Sequence, residues 1–338
     1  MTGPREPAVD AVRALAVGGV VLGHWLVTAP VLVDGAVRAD SPLRGVPGLA
    51  PASWLLQTLG LFFLAAGFAA ARSGGGWWPR VRRLLSAVTT LVAVVGVAAA
   101  ALAWTGAPQG VVRTAVLLPL RPLWFLAVYL VLLAATPALL RLDRRWGARA
   151  AAVPVLLTLL LPLAGPVPVA VAAPLAWWTP WQLGVAMARR PLPPRASWAL
   201  LLGGVLAVAL LVGPGGLPDT AVGVPGARAS NLDPPSAATL ALALAQTGAV
   251  GIALPGLRRL GRTRAVAAVD RAALPVFLAH QPLLVALWLG TLPLAPVPGL
   301  HDAPAGWGWL LHRAGWAALC AGVLVATLAA TRRTAPHR

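Results

Sequence analysis

With 338 residues, of which 59% are hydrophobic and only 11% charged, and a mean hydropathy of +0.79, the chain is too apolar for an ordinary soluble domain. Its net charge of +18 would suggest a nucleic-acid partner in a soluble protein, but the arginines sit in short loops between apolar runs, which excludes that reading. Lysine is absent, and the single cysteine, Cys320, lies inside an apolar run, so no disulfide can form within the chain.

Apolar runs of about 17 to 25 residues, some of them shorter or broken by proline, read as membrane spans. They fall near residues 11–31, 53–71, 84–104, 122–140, 150–164, 172–188, 197–212, 237–257, 272–291 and 309–330. This predicts an all-α, polytopic helical bundle of about ten transmembrane helices. The first run is too long for a secretory h-region and lacks a small-x-small cleavage site, so it reads as a retained helix. Pro162, Pro166, Pro168 and Pro174 fragment the fifth and sixth runs, where a single re-entrant hairpin is the alternative. The connections at 32–52 and 213–236 are rich in Pro, Gly and Asp. No internal repeat and no separate soluble domain stands out, so residues 1–338 read as one integral membrane domain.

The arginines set the predicted orientation through the positive-inside rule. With the N-terminus cytoplasmic, nineteen of the 27 fall on the inner side, from Arg5 through the clusters at 72–83, 141–149, 189–195 and 258–264 to the tail. Five fall outside (Arg38, Arg44, Arg113, Arg121 and Arg228), and Arg13, Arg271 and Arg313 lie within or at the edges of spans. The expectation is a multi-pass protein of the plasma (inner) membrane with both termini cytoplasmic.

Arg13 and His24 lie eleven residues apart in the first span, and an ionisable group inside a span is a functional candidate by default. Eleven residues at about 100° each make three turns plus roughly 20°, so both project from one face, about 16 Å apart along the axis. Asp10 stands one turn before Arg13. Counted from the cytoplasmic side, His24 lies about 20 Å in, and His280, on the ninth span, about 12 to 14 Å in. The two histidines could therefore share one buried cavity; the alternative is that each is a polar residue bonded to a neighbouring helix.

In the first inner loop, Arg72-Ser-Gly-Gly-Gly-Trp-Trp-Pro-Arg80-Val-Arg82-Arg83, basic side chains beside a Gly-rich turn could hold phosphates, although inner arginines also follow from topology alone. Trp77, Trp78, Trp177, Trp178, Trp181, Trp307 and Trp309 lie near span ends and read as an aromatic belt. His301, His312 and His337 receive no role. No metal cluster, phosphate cradle or GxSxG elbow is present in the sequence, and no run of buried carboxylates suggests proton-coupled transport.

Asp10-Ala-Val-Arg13 followed by ten residues and His24 resembles the Asp-x-x-Arg-x10-His signature of the acyltransferase-3 family of integral membrane acyltransferases. Further pieces occur in that family's order. Phe62-Phe-Leu-Ala-Ala-Gly67-Phe68 is similar to its Phe-Phe-x-x-Ser-Gly-Phe segment, and Arg80-Val-Arg-Arg83 to its Arg-x-x-Arg. Pro122-Leu-Trp-Phe-Leu126 is similar to its Leu-Trp-Phe-Leu helix, and Leu274-Pro-Val-Phe-Leu-Ala-His280-Gln-Pro282 to its Tyr-Leu-x-His-x-Pro. Two positions depart: Ala66 replaces a frequent serine, and Ala127-Val-Tyr129 stands where many members carry a glutamate. The resemblance, to an actinobacterial-type subgroup, implies transfer of an acyl group, often acetyl, from acyl-CoA (acetyl-CoA) as donor. The acceptor would be a hydroxyl or amine of an envelope glycan, glycolipid or secondary metabolite. It implies His24 as general base or transient acyl relay, with Arg13 orienting it or the donor, in one version through Asp10. Arg80 and Arg83 would hold the CoA phosphates, and His280 would be a second base or orienter. Membrane lipids are the expected surroundings, and no metal or nucleic acid is expected. The competing reading is a non-enzymatic transporter of an acylated or lipid-linked substrate, since broken helices and buried polar residues suit that as well.

Overall fold

Inside a bilayer every backbone N–H and C=O must be paired within the protein, and the apolar runs meet that requirement by forming helices. The structure, a computed structural model, describes residues 5–33, 36–46, 48–73 and 77–334, with side chains through residue 330. The Gly-rich turn at 74–76, His337 and Arg338 lie outside the described residues. In chain order the elements are α1 (Pro7–Val27), β1 (Ala29–Val33), β2 (Ala36–Asp40), α2 (Pro42–Gly45), α3 (Ala50–Leu56), α4 (Leu59–Arg72), α5 (Trp78–Trp104) and α6 (Gln109–Leu120). Then follow α7 (Trp124–Trp146), α8 (Ala152–Ala164), α9 (Val169–Arg189), α10 (Pro194–Val212), α11 (Ala237–Gly261), α12 (Arg264–Arg271), α13 (Ala273–Gly290) and α14 (Trp307–Thr334).

The chain is therefore an all-α, multi-pass membrane protein with one small two-stranded sheet. Each of the ten predicted segments coincides with helix, but the edges differ. The first segment ends at Val27, because residues 29–33 turn into β1 and pair antiparallel with β2 in a register running from Ala29↔Asp40 to Val33↔Ala36. The second is broken at Gln57 and Thr58, between α3 and α4. Residues 109–120, read from sequence as an outer connection, form α6. Among the described residues, eight stretches are long and apolar enough to cross a membrane, one of them the 56-residue run Gln109–Ala164 that contains α6, α7 and α8.

Helix α9 is not among the eight, and its burial explains why. Trp181 through Met187 are all buried, so this half of the helix faces other helices and has no need of an apolar lipid-facing surface. Trp177 and Trp181, read from sequence as interfacial, are core residues at 1% and 0% exposure. Trp309 is also buried, whereas Trp77, Trp78 and Trp307 are exposed.

The chain divides into two compact units. The first comprises Met1–Val20, Ala50–Val81 and Trp124–Arg271. In it α9 packs against α4 so closely that a Cβ on Gly67 would strike the Trp181 backbone, and one on Gly184 the Leu64 backbone. Small residues permit that approach between membrane helices. Gly204 and Gly248 play the same part between α10 and α11. Ala8, Ala11 and Val12 of α1 pack into this core with Leu64, Ala65, Leu183, Met187, Val250 and Leu257. The 213–236 connection is tied down by Trp54 Nε1 donating to Asp219 O and by Asn231 Nδ2 donating to Pro218 O and Thr220 O.

The second unit comprises Val21–Leu49, Arg82–Leu123 and Ala272–Arg338. It joins the end of α1 and the β1–β2 hairpin to α5, α6, α13 and α14. The hairpin is anchored to the rest of the unit by Trp288 Nε1 donating to Pro30 O at 3.0 Å and by Leu32 N donating to His301 O at 2.8 Å. Exposed Val92, Val94 and Val97 on α5 and Leu319, Val323 and Val325 on α14 give apolar surfaces suited to lipid contact.

Candidate active site

In the second unit, the last turn of α1 meets the middle of α13. His24 Nδ1 lies 2.8 Å from His280 Nε2, with the rings stacked at a centroid distance of 5.1 Å and 14° between planes. His280 is 1% exposed, whereas His24 is half-buried. On its other side the His280 ring places Nδ1 2.5 Å from Phe277 O, one turn back on α13. Trp25 Nε1 donates to the His280 carbonyl at 2.9 Å and so fastens the two helices beside the rings. The depth count on α1 and α13 had allowed these histidines a common site, and the structure brings them into direct contact.

The protons follow from the partners. A carbonyl oxygen only accepts, so His280 Nδ1 carries the hydrogen and donates to Phe277 O. A neutral imidazole has one N–H, so His280 Nε2 is the acceptor and His24 Nδ1 the donor. The remaining nitrogen, His24 Nε2, then holds a free lone pair. The arrangement gives one basic nitrogen on a half-buried ring, backed by a second, buried imidazole whose tautomer is set by a backbone carbonyl.

Arg313, on α14, ties down the end of α1. It is 1% exposed. Its Nε donates to Trp25 O at 2.5 Å, its Nη1 to Gly299 O at 3.0 Å, and its Nη2 to Thr28 O. Two of these acceptors are carbonyls at the C-terminal end of α1, where backbone acceptors lack helical partners and a cation is favourable. The sequence placed Arg313 at a span edge without a role; the available signal was an arginine inside an apolar run.

Arg13 belongs to the first unit and to a different network. Its Nη1 lies 2.5 Å from Asp270 Oδ1 at the end of α12, and Arg5 bridges Asp270 Oδ2 at 2.9 Å and Asp10 Oδ2 at 2.5 Å. Asp10 thus pairs with Arg5, and the partner of Arg13 is Asp270. Both carboxylates are buried, at 9% and 8% side-chain exposure. Beside this network Arg258 grips Glu6 through Nε at 3.0 Å and Nη2 at 3.2 Å. The Arg258 hydrogen bond holds the Glu6 carboxyl below its ordinary value, and the hydrogen bond and charge of Asp10 raise Arg5 above its own.

Arg80 and Arg83 stand one turn apart in the first two turns of α5, Arg80 half-buried and Arg83 exposed. The Tyr129 ring packs edge-on against Phe62 and Trp181. Tyr129 was noted in the sequence only as a departure from a glutamate. Asp143, within the arginine cluster at 141–149, is a buried residue of α7 paired with Arg189 at 2.9 Å. His301 is buried and satisfied by Trp288 O and Val297 N, and His312 is exposed. Among the described residues, no group of three or more His, Cys, Asp or Glu side chains is placed to hold a metal ion.

Residues 6–332, nearly the whole chain, match a family model described as an acyltransferase domain, that of the acyltransferase-3 family. Neither a curated protein nor a solved structure matches. With the match running from the first turn before α1 into the last helix, the chain belongs to the acyltransferase-3 family of membrane acyltransferases.

Proposed function

We propose that the protein moves an acyl group, acetyl in the simplest case, from a cytoplasmic acyl-CoA to a hydroxyl of an envelope glycan, glycolipid or secondary metabolite, with His24 as general base. The observation that supports this is the chain of hydrogen bonds from Phe277 O through His280 to His24, which leaves Nε2 of His24 as its open, basic end. In this reading Nε2 takes the hydroxyl proton while the acceptor oxygen bonds to the thioester carbonyl carbon. The carbon–sulfur bond then breaks, and the departing sulfur of CoA takes the proton back from Nε2. While His24 is an imidazolium, its bond to His280 becomes charge-assisted and roughly twice as strong, and the Nδ1 proton can shift onto His280 Nε2 to spread the charge. The same lone pair would also serve as nucleophile in a two-step relay through an acyl-imidazole.

Arg80 and Arg83 supply guanidinium groups for the phosphates of CoA. Arg13, held by Asp270, and Asp10, held by Arg5, order the inner half of α1. The arginine distribution supports a plasma (inner) membrane protein with both termini cytoplasmic.

The test uses purified protein in liposomes with radiolabelled acetyl-CoA and a panel of hydroxyl acceptors. Wild type labels an acceptor and releases CoA, and His24→Ala falls by about 10² to 10⁴. Equal behaviour of the two proteins overturns the reading. Substrate flux without covalent labelling would replace it with transport, and label retained on His24 before acceptor is added would identify the two-step relay.

A further inference from the structure

At one end of the first unit, the start of α1 and the ends of α4, α9 and α11 enclose a cavity of about 180 Å³. Its floor is apolar, lined by Val12, Leu64, Ala65, Met187 and Val250, all of them buried core residues. Its rim is basic, lined by Arg72, Arg189 and Arg258 against Glu6 as the one carboxylate of the lining. Neither the histidine pair nor Arg80 and Arg83 line it.

Three observations define what it would hold. An apolar cavity of about 150 Å³ accepts a benzene molecule, so this one takes about six or seven carbons of a chain. The guanidiniums are arranged around existing partners, Arg258 on Glu6, Arg189 on Asp143 and Arg72 over the Phe68 ring. Each guanidinium carries five donors, and the bonds to Glu6 and Asp143 leave several of these unused on Arg258 and Arg189. Three arginines and one carboxylate line the cavity, so its rim favours an anion, and the apolar floor beside it favours an anion that carries a hydrocarbon chain.

We propose that this cavity is a binding site for one anionic phospholipid, with its phosphodiester among Arg72, Arg189 and Arg258 and the first carbons of one acyl chain on the apolar floor. A cavity of this size holds less than a membrane acyl chain, so the remainder of that chain stays outside it. On the orientation proposed above, the lipid belongs to the cytoplasmic leaflet, where anionic lipids draw arginine-rich surfaces.

The experiment counts bound lipid by native mass spectrometry on the delipidated full-length protein, titrated with phosphatidylglycerol or with phosphatidylcholine of the same chains. Parallel titrations use glycerophosphoglycerol, which has the head without the chains, and acetyl-CoA. One phosphatidylglycerol binds, with phosphatidylcholine at least tenfold weaker. Arg72→Gln removes a rim charge and Ala65→Leu fills the floor, and each weakens phosphatidylglycerol at least tenfold; Arg141→Gln, away from the cavity, leaves it unchanged. A melting curve in detergent confirms that each variant is folded, and if Ala65→Leu is not, the half-exposed Arg72 substitution decides alone. Equal binding of the two lipids, or undiminished binding to a folded Arg72→Gln, overturns the proposal. Glycerophosphoglycerol binding as tightly as the lipid reduces the site to one for a free phosphodiester and overturns its lipid part. Stoichiometric displacement of phosphatidylglycerol by acetyl-CoA reassigns the cavity to the donor. None of these outcomes depends on whether the protein transfers acyl groups.

Discussion

Removing the His280 ring should slow transfer without weakening substrate binding. His280 contributes one hydrogen bond to His24, 2.8 Å long, between neutral rings in the resting site and charge-assisted once His24 is protonated. A neutral hydrogen bond contributes about 0.5 to 1.5 kcal/mol and one to a charged group about 1.5 to 3 kcal/mol. The difference, about 1 to 1.5 kcal/mol, is felt only as charge develops, so His280→Ala lowers kcat roughly tenfold. Freeing the His24 tautomer adds to the loss and brings the expected fall to about 10- to 100-fold. His24→Ala, which removes the base itself, must cost more, about 10² to 10⁴. His280→Asn can still accept from His24 Nδ1 but cannot take its proton, and should fall between His280→Ala and wild type. The helix contact survives these substitutions because Trp25 bonds to the backbone carbonyl of residue 280. The assay is the initial rate of acetyl transfer in liposomes over a range of acetyl-CoA and acceptor concentrations. A kcat for His280→Ala within twofold of wild type, or a loss expressed only in KM, would refute the proton-holding role.

Three further outcomes are expected. Asp270→Asn breaks the paired contacts of Arg5 and Arg13 with a carboxylate that is only 8% exposed; because the arginines are partly solvated, it should cost about 1 to 2 kcal/mol in thermal unfolding in detergent. A double-mutant cycle with Arg13→Gln should return a coupling energy of at least ~0.5 kcal/mol, and strict additivity would mean that the pair contributes nothing. Arg313→Met leaves the Trp25, Thr28 and Gly299 carbonyls without their donor and should lower stability by about 2 to 4 kcal/mol; Arg313→Lys should recover only part of this, and full recovery would mean that charge alone matters. Glu6 titrates below its ordinary value in the folded chain, so its contribution is complete above that ordinary value and is lost as pH falls through the lowered one. The wild-type melting temperature should therefore drop more steeply on acidification than that of Glu6→Gln, and parallel curves would rule out the Glu6–Arg258 pair as a pH-dependent clamp.

The spans were legible because bilayer chemistry writes them into composition: a helix facing lipid must be apolar over its length, and its flanking arginines mark the loops. Where a segment does not face lipid, the same signal misleads. The tryptophans of α9 resemble an interfacial belt, yet Trp177 and Trp181 lie in the core of the first unit, brought there by the close approach of Gly67 and Gly184. The hairpin at 29–40 and helix α6 were missed because their stability comes from contacts made far along the chain, such as Trp288 with Pro30. The candidate site divides along the same line. Periodicity placed Arg13 and His24 on one face of α1, and depth counting put His280 about 6 to 8 Å short of the depth of His24, close enough to allow a common cavity, but the partner of Arg13 is 257 residues away, beyond any local pattern. One detail of the chemistry was nevertheless within local reach. The carbonyl that sets the His280 tautomer belongs to Phe277, three residues earlier on the same helix, so the protonation of the buried ring is decided within α13. Only the last link, the meeting of His280 with His24, needs the tertiary fold. The lone pair on His24 Nε2 is thus set by one local contact in α13 relayed across one helix–helix contact, and a substitution at either point should reach the reacting nitrogen.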